Sequence, residues 1–130
     1  MSPSSKPPPP SVLLLALPGA ESEEIFADLS QREDLCLLRV ATVPAANRTI
    51  EEMPVALVVA CPELPASAVD SVVSHLDRVR PGTPVLAVRA RRAPEPAGWS
   101  ERGVAVLRMP LLRGVLSRSI DVVLGMRSRR

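Results

Sequence analysis

Cys61 closes the apolar run Val55 to Ala60 and is followed by Pro62 and Glu63. A cysteine attacks as its thiolate, and a thiolate forms near neutral pH only beside positive charge or amide donors. The densest cations in the middle of the chain are Arg89, Arg91 and Arg92, which end the apolar run that starts at Pro84. If a fold brought Arg89 and loop amides to Cys61, the thiol would be activated. The three guanidinium groups also suit a phosphate, a carboxylate or an acidic partner loop, because each presents a planar fork of donors. Plainer readings stand beside these. Cys61 reads as a small buried residue closing a strand, and the arginines read as a solvated loop paired with Glu95 and Glu101. His75 is the only histidine and Lys6 the only lysine. His75 falls beside the apolar stripe of a helical pattern and is expected to be a half-exposed packing residue, not a base. With Lys6 so near the start, chemistry that needs a lysine inside the folded part is excluded.

The elements that must position these groups alternate. Apolar runs predict strands over 12–17, 35–40, 55–60, 84–89 and 104–107, each solid enough to be buried on both faces. Between them, apolar residues recur at helical spacing. Helices are expected over Glu21 to Arg32, Pro44 to Met53 and Ala66 to Val79, with Ser67 and Asp70 as a start signal for the third. A last helix is expected over Leu111 to Met126, with Leu112, Leu116, Ile120, Val123 and Leu124 facing inward and Arg127, Arg129 and Arg130 at its negative end. Pro94 and Pro96 forbid more than one or two helical turns between the fourth and fifth strands. Strands alternating with helices mean a parallel sheet covered on both faces. Five such units fit a flavodoxin-like α/β sheet of order 2-1-3-4-5, whose working crevice lies at the carboxyl ends of strands 1 and 3.

Composition limits the function classes. The chain has 130 residues, 46% hydrophobic and 23% charged, which suits one globular domain with an aliphatic core. Phe26 and Trp99 are the only aromatic residues, so stacking platforms for single-stranded nucleic acid are missing. Net charge is only +2, which points away from DNA and anionic lipid. Cys36 and Cys61 are too few for a zinc site. A strand order of 2-1-3-4-5 also sets them on either side of strand 1, beyond disulfide reach. Residues 1–11, with four successive prolines, read as a Pro-rich tail without packing, residues 12–126 as the domain, and 127–130 as a basic tail. No secretory pattern opens the chain, and VLLLAL is too short to span a bilayer. A cytoplasmic protein with free thiols is expected.

The segments VALVVACPELP and RPGTPVLAVRA, and the closing VLRMPLLRGVLSRSIDVVL, together resemble a response-regulator receiver domain over about residues 12 to 126. The resemblance implies five groups around one crevice: two acids after strand 1 that hold a divalent cation, a phosphoacceptor aspartate after strand 3, a Ser or Thr after strand 4, and a Lys before the proline that follows strand 5. Their logic is phosphoryl transfer by positioning and charge neutralisation around a metal. This chain departs at each position. Ala16 and Leu17 replace the acids, Cys61 (or Ala60, one residue out of register) the aspartate, Arg89 the hydroxyl residue and Met109 the lysine. An apolar pair offers no oxygen to a hard cation. Glu21 and Glu63 fall in the right loops but read as a helix-start acid and an exposed loop acid.

The expected function is therefore a degenerate receiver, or pseudo-receiver: a non-enzymatic interaction module in bacterial signal transduction that binds another signalling or localisation protein. No metal, cofactor or membrane insertion is expected, nucleic acid is disfavoured, and a homodimer is left open. Arg89, Arg91, Arg92 and Trp99 are the candidate partner- or anion-binding residues, with Trp99 either a surface anchor or a cover on the end of the core. The alternatives are a single-domain response regulator with atypical activation, or an anion or nucleotide binder using the Arg89, Arg91 and Arg92 cluster.

Overall fold

The computed structural model describes residues 8–112 and 114–125. Five strands, β1 (Ser11–Leu15), β2 (Cys36–Val40), β3 (Leu57–Ala60), β4 (Val85–Arg89) and β5 (Val104–Arg108), alternate with helices α1 (Ala20–Ser30), α2 (Val43–Glu52) and α3 (Ala66–Val79). Helix α4 (Val115–Val123) follows β5. All pairings are parallel, in the order β2-β1-β3-β4-β5. The strands form where expected, and the aliphatic runs of β1, β3 and β4 are buried on both faces and almost wholly inaccessible; the edge strands β2 and β5 are only partly covered, against the expectation of burial on both faces, because each has a neighbour on one side only.

Alternation along each strand divides the core into two layers. Leu13, Leu15, Val58, Ala60, Val85, Ala87 and Val104 pack against α2 and α3. Val12, Leu14, Leu57, Val59, Cys61, Leu86 and Val88 face the other way, against Ile25 and Leu29 of α1 and Leu116 and Ile120 of α4. Cys36 pairs with Ser11 at one end of β1, while the amide of Cys61 donates to Leu15 O at the other. Both cysteines are free, with β1 between their strands.

Between β4 and β5 the only helical turn is a short 3-10 turn, Ser100–Arg102. Trp99 takes up that space and joins the α2–α3 layer, only 1% exposed. The start of α3 differs from expectation. Pro65 precedes its first residue, no side chain caps it, and Ser67 lies inside the helix. The last helix also starts later than Leu111. Gly114 holds φ +81°, a left-handed conformation that glycine adopts without strain, and the helix begins after it. Leu112 is therefore 76% exposed instead of inward, although Leu116 and Ile120 are buried as expected. Residues 1–7 of the Pro-rich tail and residues 126–130, with the expected helix-end arginines, lie outside the described residues.

Candidate functional site

The carboxyl ends of the strands gather the five positions named above, and each side chain there is fixed by its strand's alternation. Ala16 is buried, its amide donating to Val40 O at 2.9 Å. Leu17 packs against the α2–α3 layer. Cys61 points into the opposite layer, toward α1, and is 1% exposed. Burial pushes its thiol up to about 11; the Glu63 carboxylate adds to the rise, while Ser22 and Arg39 oppose it. Arg89 lies in the other layer, so the activated-thiol alternative, Cys61 beside Arg89, does not form, and Cys61 is the small buried residue at the strand's end that the plainer reading gave. Met109 is partly buried on the α1 side. With Pro110, Leu111, Leu112, Glu24 and Asp28 it borders a groove of about 230 Å³.

Glu63 is not an exposed loop acid. Its carboxylate accepts the Ser22 hydroxyl and also the Ser22 amide at 3.3 Å, so it caps the N-terminal turn of α1 from a neighbouring loop. Ser22 is fully buried beneath it. Glu21, by contrast, is exposed in the same turn. Sequence reasoning placed Glu63 in the right loop but missed its partner, which lies 41 residues away. The strand order was the signal available, since it sets the β3–α3 loop beside the β1–α1 loop.

The arginine cluster is divided by burial. Arg89 is 8% exposed, its guanidinium 5.2 Å from the centre of the Trp99 ring, and Nη2 donates to Pro94 O at 3.4 Å. Its Nε is buried with no partner among the described residues. Arg91 and Arg92 are exposed. Arg108 stands opposite Arg89 across β4 and β5 and donates to Ala90 O at 3.1 Å and to Ala93 O. Arg108 was missed as a member of this group. Among the described residues, the plainer reading's ion pairs of Arg89, Arg91 and Arg92 with Glu95 and Glu101 do not form, and Arg108 has no carboxylate partner either.

Trp99 is buried, so of its two expected roles the structure places it as a cover on the core, not as a surface anchor. His75 is more buried than expected, at 9% exposure. Its Nε2 lies 2.9 Å from Glu51 Oε2 on α2, and its Nδ1 lies 3.1 Å from Arg78. A second groove, of about 450 Å³, runs between β5 and α4, lined by Ala105, Leu107, Val115, Val122 and Val123, with Val122 77% exposed.

No protein-family model and no curated protein matches the chain. Solved structures match it over almost its whole length. A signal receiver domain from Vibrio parahaemolyticus superposes with a TM-score of 0.69 at 20% identity, over 90% of this chain and 91% of that one. The receiver domain of a sensor histidine kinase from Pseudomonas aeruginosa gives 0.68 at 20% identity, over 90% and 98%. A response regulator receiver protein from Sinorhizobium medicae gives 0.65 at 14% identity, over 92% and 98%.

The fold is receiver-like.

The Pseudomonas domain is described with a magnesium ion coordinated in its active-site cleft. The residues at the corresponding end of this receiver-like domain do not fit such an ion. A hard cation takes oxygen ligands. Ala16 and Leu17 are apolar, Cys61 is a buried thiol, and the Glu63 carboxylate is engaged by Ser22. Among the described residues, no three His, Cys, Asp or Glu side chains gather in a metal-holding group. No helix of the described residues is long and apolar enough to cross a membrane.

Proposed function

We propose that this receiver-like domain is a non-enzymatic protein–protein interaction module of bacterial signal transduction that works without aspartyl phosphorylation. The observation that carries the proposal is the set of side chains at the strand ends: Ala16, Leu17, Cys61, Arg89 and Met109. Phosphoryl transfer at such a crevice needs a carboxylate to attack and a cation to neutralise charge. Here a buried thiol stands at the acceptor position, and its ionisation is suppressed. Glu63, two residues after that thiol, is held on the N-terminal turn of α1. The partner is another signalling or localisation protein in the cytoplasm, no cofactor takes part, and self-association is one form the partnership can take.

The test is to add beryllofluoride with magnesium, and separately acetyl phosphate with magnesium, to isotope-labelled protein and record amide spectra and intact mass. Unchanged spectra and mass are expected. A phosphoryl adduct, or saturable shifts at residues 16–19 and 61–63, would instead favour the atypically activated response regulator.

A further inference from the structure

We infer that the arginine-rich end between β4 and β5 docks an acidic segment of the partner protein, its carboxylates taken by Arg91 and Arg92 above Arg89 and Arg108. This rests on the interaction-module reading and adds the chemistry of the partner.

The geometry begins with the sheet. Arg89 and Arg108 are register partners on neighbouring strands. Such strands lie about 4.8 Å apart, and register partners in a parallel pair rise from the same face. That face is the one covered by segment 90–99. Both guanidinium groups donate into it, Arg89 to Pro94 O and Arg108 to Ala90 O and Ala93 O. The backbone carbonyls of the segment are thus turned inward onto two cations, while Arg91 and Arg92 remain exposed between those anchor points.

Carbonyl dipoles satisfy donors but do not cancel charge. Arg89 keeps its Nε buried without a partner among the described residues, beside a second cation one strand away. A buried charge lacking a counter-charge is costly. Three other arginines have carboxylates, Arg32 with Asp34 and Asp121, Arg39 with Glu23, and Arg102 with Asp70 and Asp77, while Arg48, Arg78, Arg80 and Arg118 have none among the described residues but are not gathered at one strand end. At the end of β4 and β5 the fold supplies none among the described residues, although Glu95 and Glu101 lie in the same connection. Four guanidinium groups with no carboxylate partner among the described residues, in a chain of net charge +2, make a local field, not a general one.

The occupant follows from what surrounds the patch. A carboxylate takes two parallel donors from one guanidinium group, which is what exposed Arg91 and Arg92 present. Single-stranded nucleic acid would ask for stacking surfaces as well. Trp99 is buried beneath Arg89, and the Phe26 ring is covered by Arg39, 4.6 Å away. An acidic protein segment fits; a base-stacking strand does not.

The probe is an octaglutamate peptide, titrated into the labelled full chain at low salt, with an eight-residue oligothymidylate run in parallel. Saturable amide shifts centred on residues 89–94 and 108 are expected, with affinity falling as salt is added. The paired substitution Arg91→Glu and Arg92→Glu is expected to weaken binding by roughly tenfold or more. Arg91→Gln with Arg92→Gln should give a smaller loss, and Arg48→Glu on α2 should have no effect. The inference is overturned by absence of saturable binding, by shifts spread equally over Arg48, Arg78 and Arg118, or by charge reversal at 91 and 92 without effect. Tighter binding of the oligonucleotide than of the peptide overturns it in favour of nucleic acid. If the peptide fails while the phosphodonors stay silent, only the acidic partner is lost. If the phosphodonors react, the interaction-module reading itself falls.

Discussion

The indole of Trp99 donates from Nε1 to Asp70 Oδ1 at 2.7 Å and so ties the connection between β4 and β5 to helix α3. The bond runs from a fully buried ring to a carboxylate that is 46% exposed at its side chain. It explains how a segment with two prolines and no regular helix still covers its half of the core. Most of the ring's contribution is burial; the hydrogen bond fixes where the ring lies.

Trp99→Ala should therefore destabilise the domain by about 3–5 kcal/mol, the usual cost of emptying a large aromatic site. Asp70→Ala should cost about 1–2 kcal/mol, for one hydrogen bond to a partly solvated charged acceptor. Adding Asp70→Ala to Trp99→Phe should cost almost nothing more than Trp99→Phe alone. Urea unfolding followed by circular dichroism measures all of these.

Gly19 lies directly against the Glu63 carboxylate, so a β-carbon at position 19 would collide with it. Its φ of 168° is extended backbone open to any residue, which leaves contact alone as the constraint. Gly19→Ala should destabilise by about 1–3 kcal/mol. In a Glu63→Ala background the same change should be nearly neutral. A full penalty in both backgrounds would show that something other than the carboxylate excludes the side chain.

The two thiols should behave differently. Cys36 is partly exposed and Cys61 is buried with its ionisation pushed to about 11. At pH 8, iodoacetamide should modify Cys36 and leave Cys61 untouched until denaturant is added, as peptide mass mapping would show. The stability consequence has a definite sign. A folded-state value raised above the unfolded one, about 8.5–9, favours the neutral thiol. The contribution is complete below that value and is lost as pH rises toward about 11. Cys61→Ala should flatten the alkaline end of the stability profile.

Arg32 joins three points: Asp34 at 2.7 Å, Asp121 of α4 at 2.8 Å and the Ser117 hydroxyl at 2.6 Å. Its side chain is 17% exposed, so these contacts are partly shielded from water. Arg32→Ala should cost about 1–3 kcal/mol and loosen α4, seen as faster amide exchange at residues 117–121. The Arg32 hydrogen bond holds the Asp34 carboxyl below its ordinary range. Its share of stability is present above the unfolded carboxylate value and is lost as pH falls through the depressed one. The variant should consequently lose less stability as pH falls below the ordinary carboxylate range.

Much of this was legible in the chain. Solid aliphatic runs announce strands, and their alternation with helical patterns leaves few sheet orders, so the sheet and the end of it that holds the crevice could be placed; the five positions named there came from the resemblance to a receiver domain. Contacts distant in sequence could not. Asp70 looked like a helix-start residue because it follows Ser67 by three, yet its carboxylate serves a tryptophan 29 residues later. Trp99 sits in an irregular stretch with no period to reveal which way it points. Leu111 and Leu112 continue the apolar pattern of the last helix, and only the left-handed Gly114 shows that the helix has not begun. Arg108 at the end of β5 was passed over because its importance comes from register with Arg89, which pattern along one strand does not encode.

Trp99 is the only tryptophan, and the chain has no tyrosine. Nearly all near-ultraviolet absorption and emission of the molecule thus comes from one ring, held dry beneath the Arg89 guanidinium. Whatever pulls on segment 90–99, whether a docking partner or a denaturant, acts within a few ångströms of that single chromophore. The domain carries its own optical gauge, with no dye to attach and no second emitter to subtract.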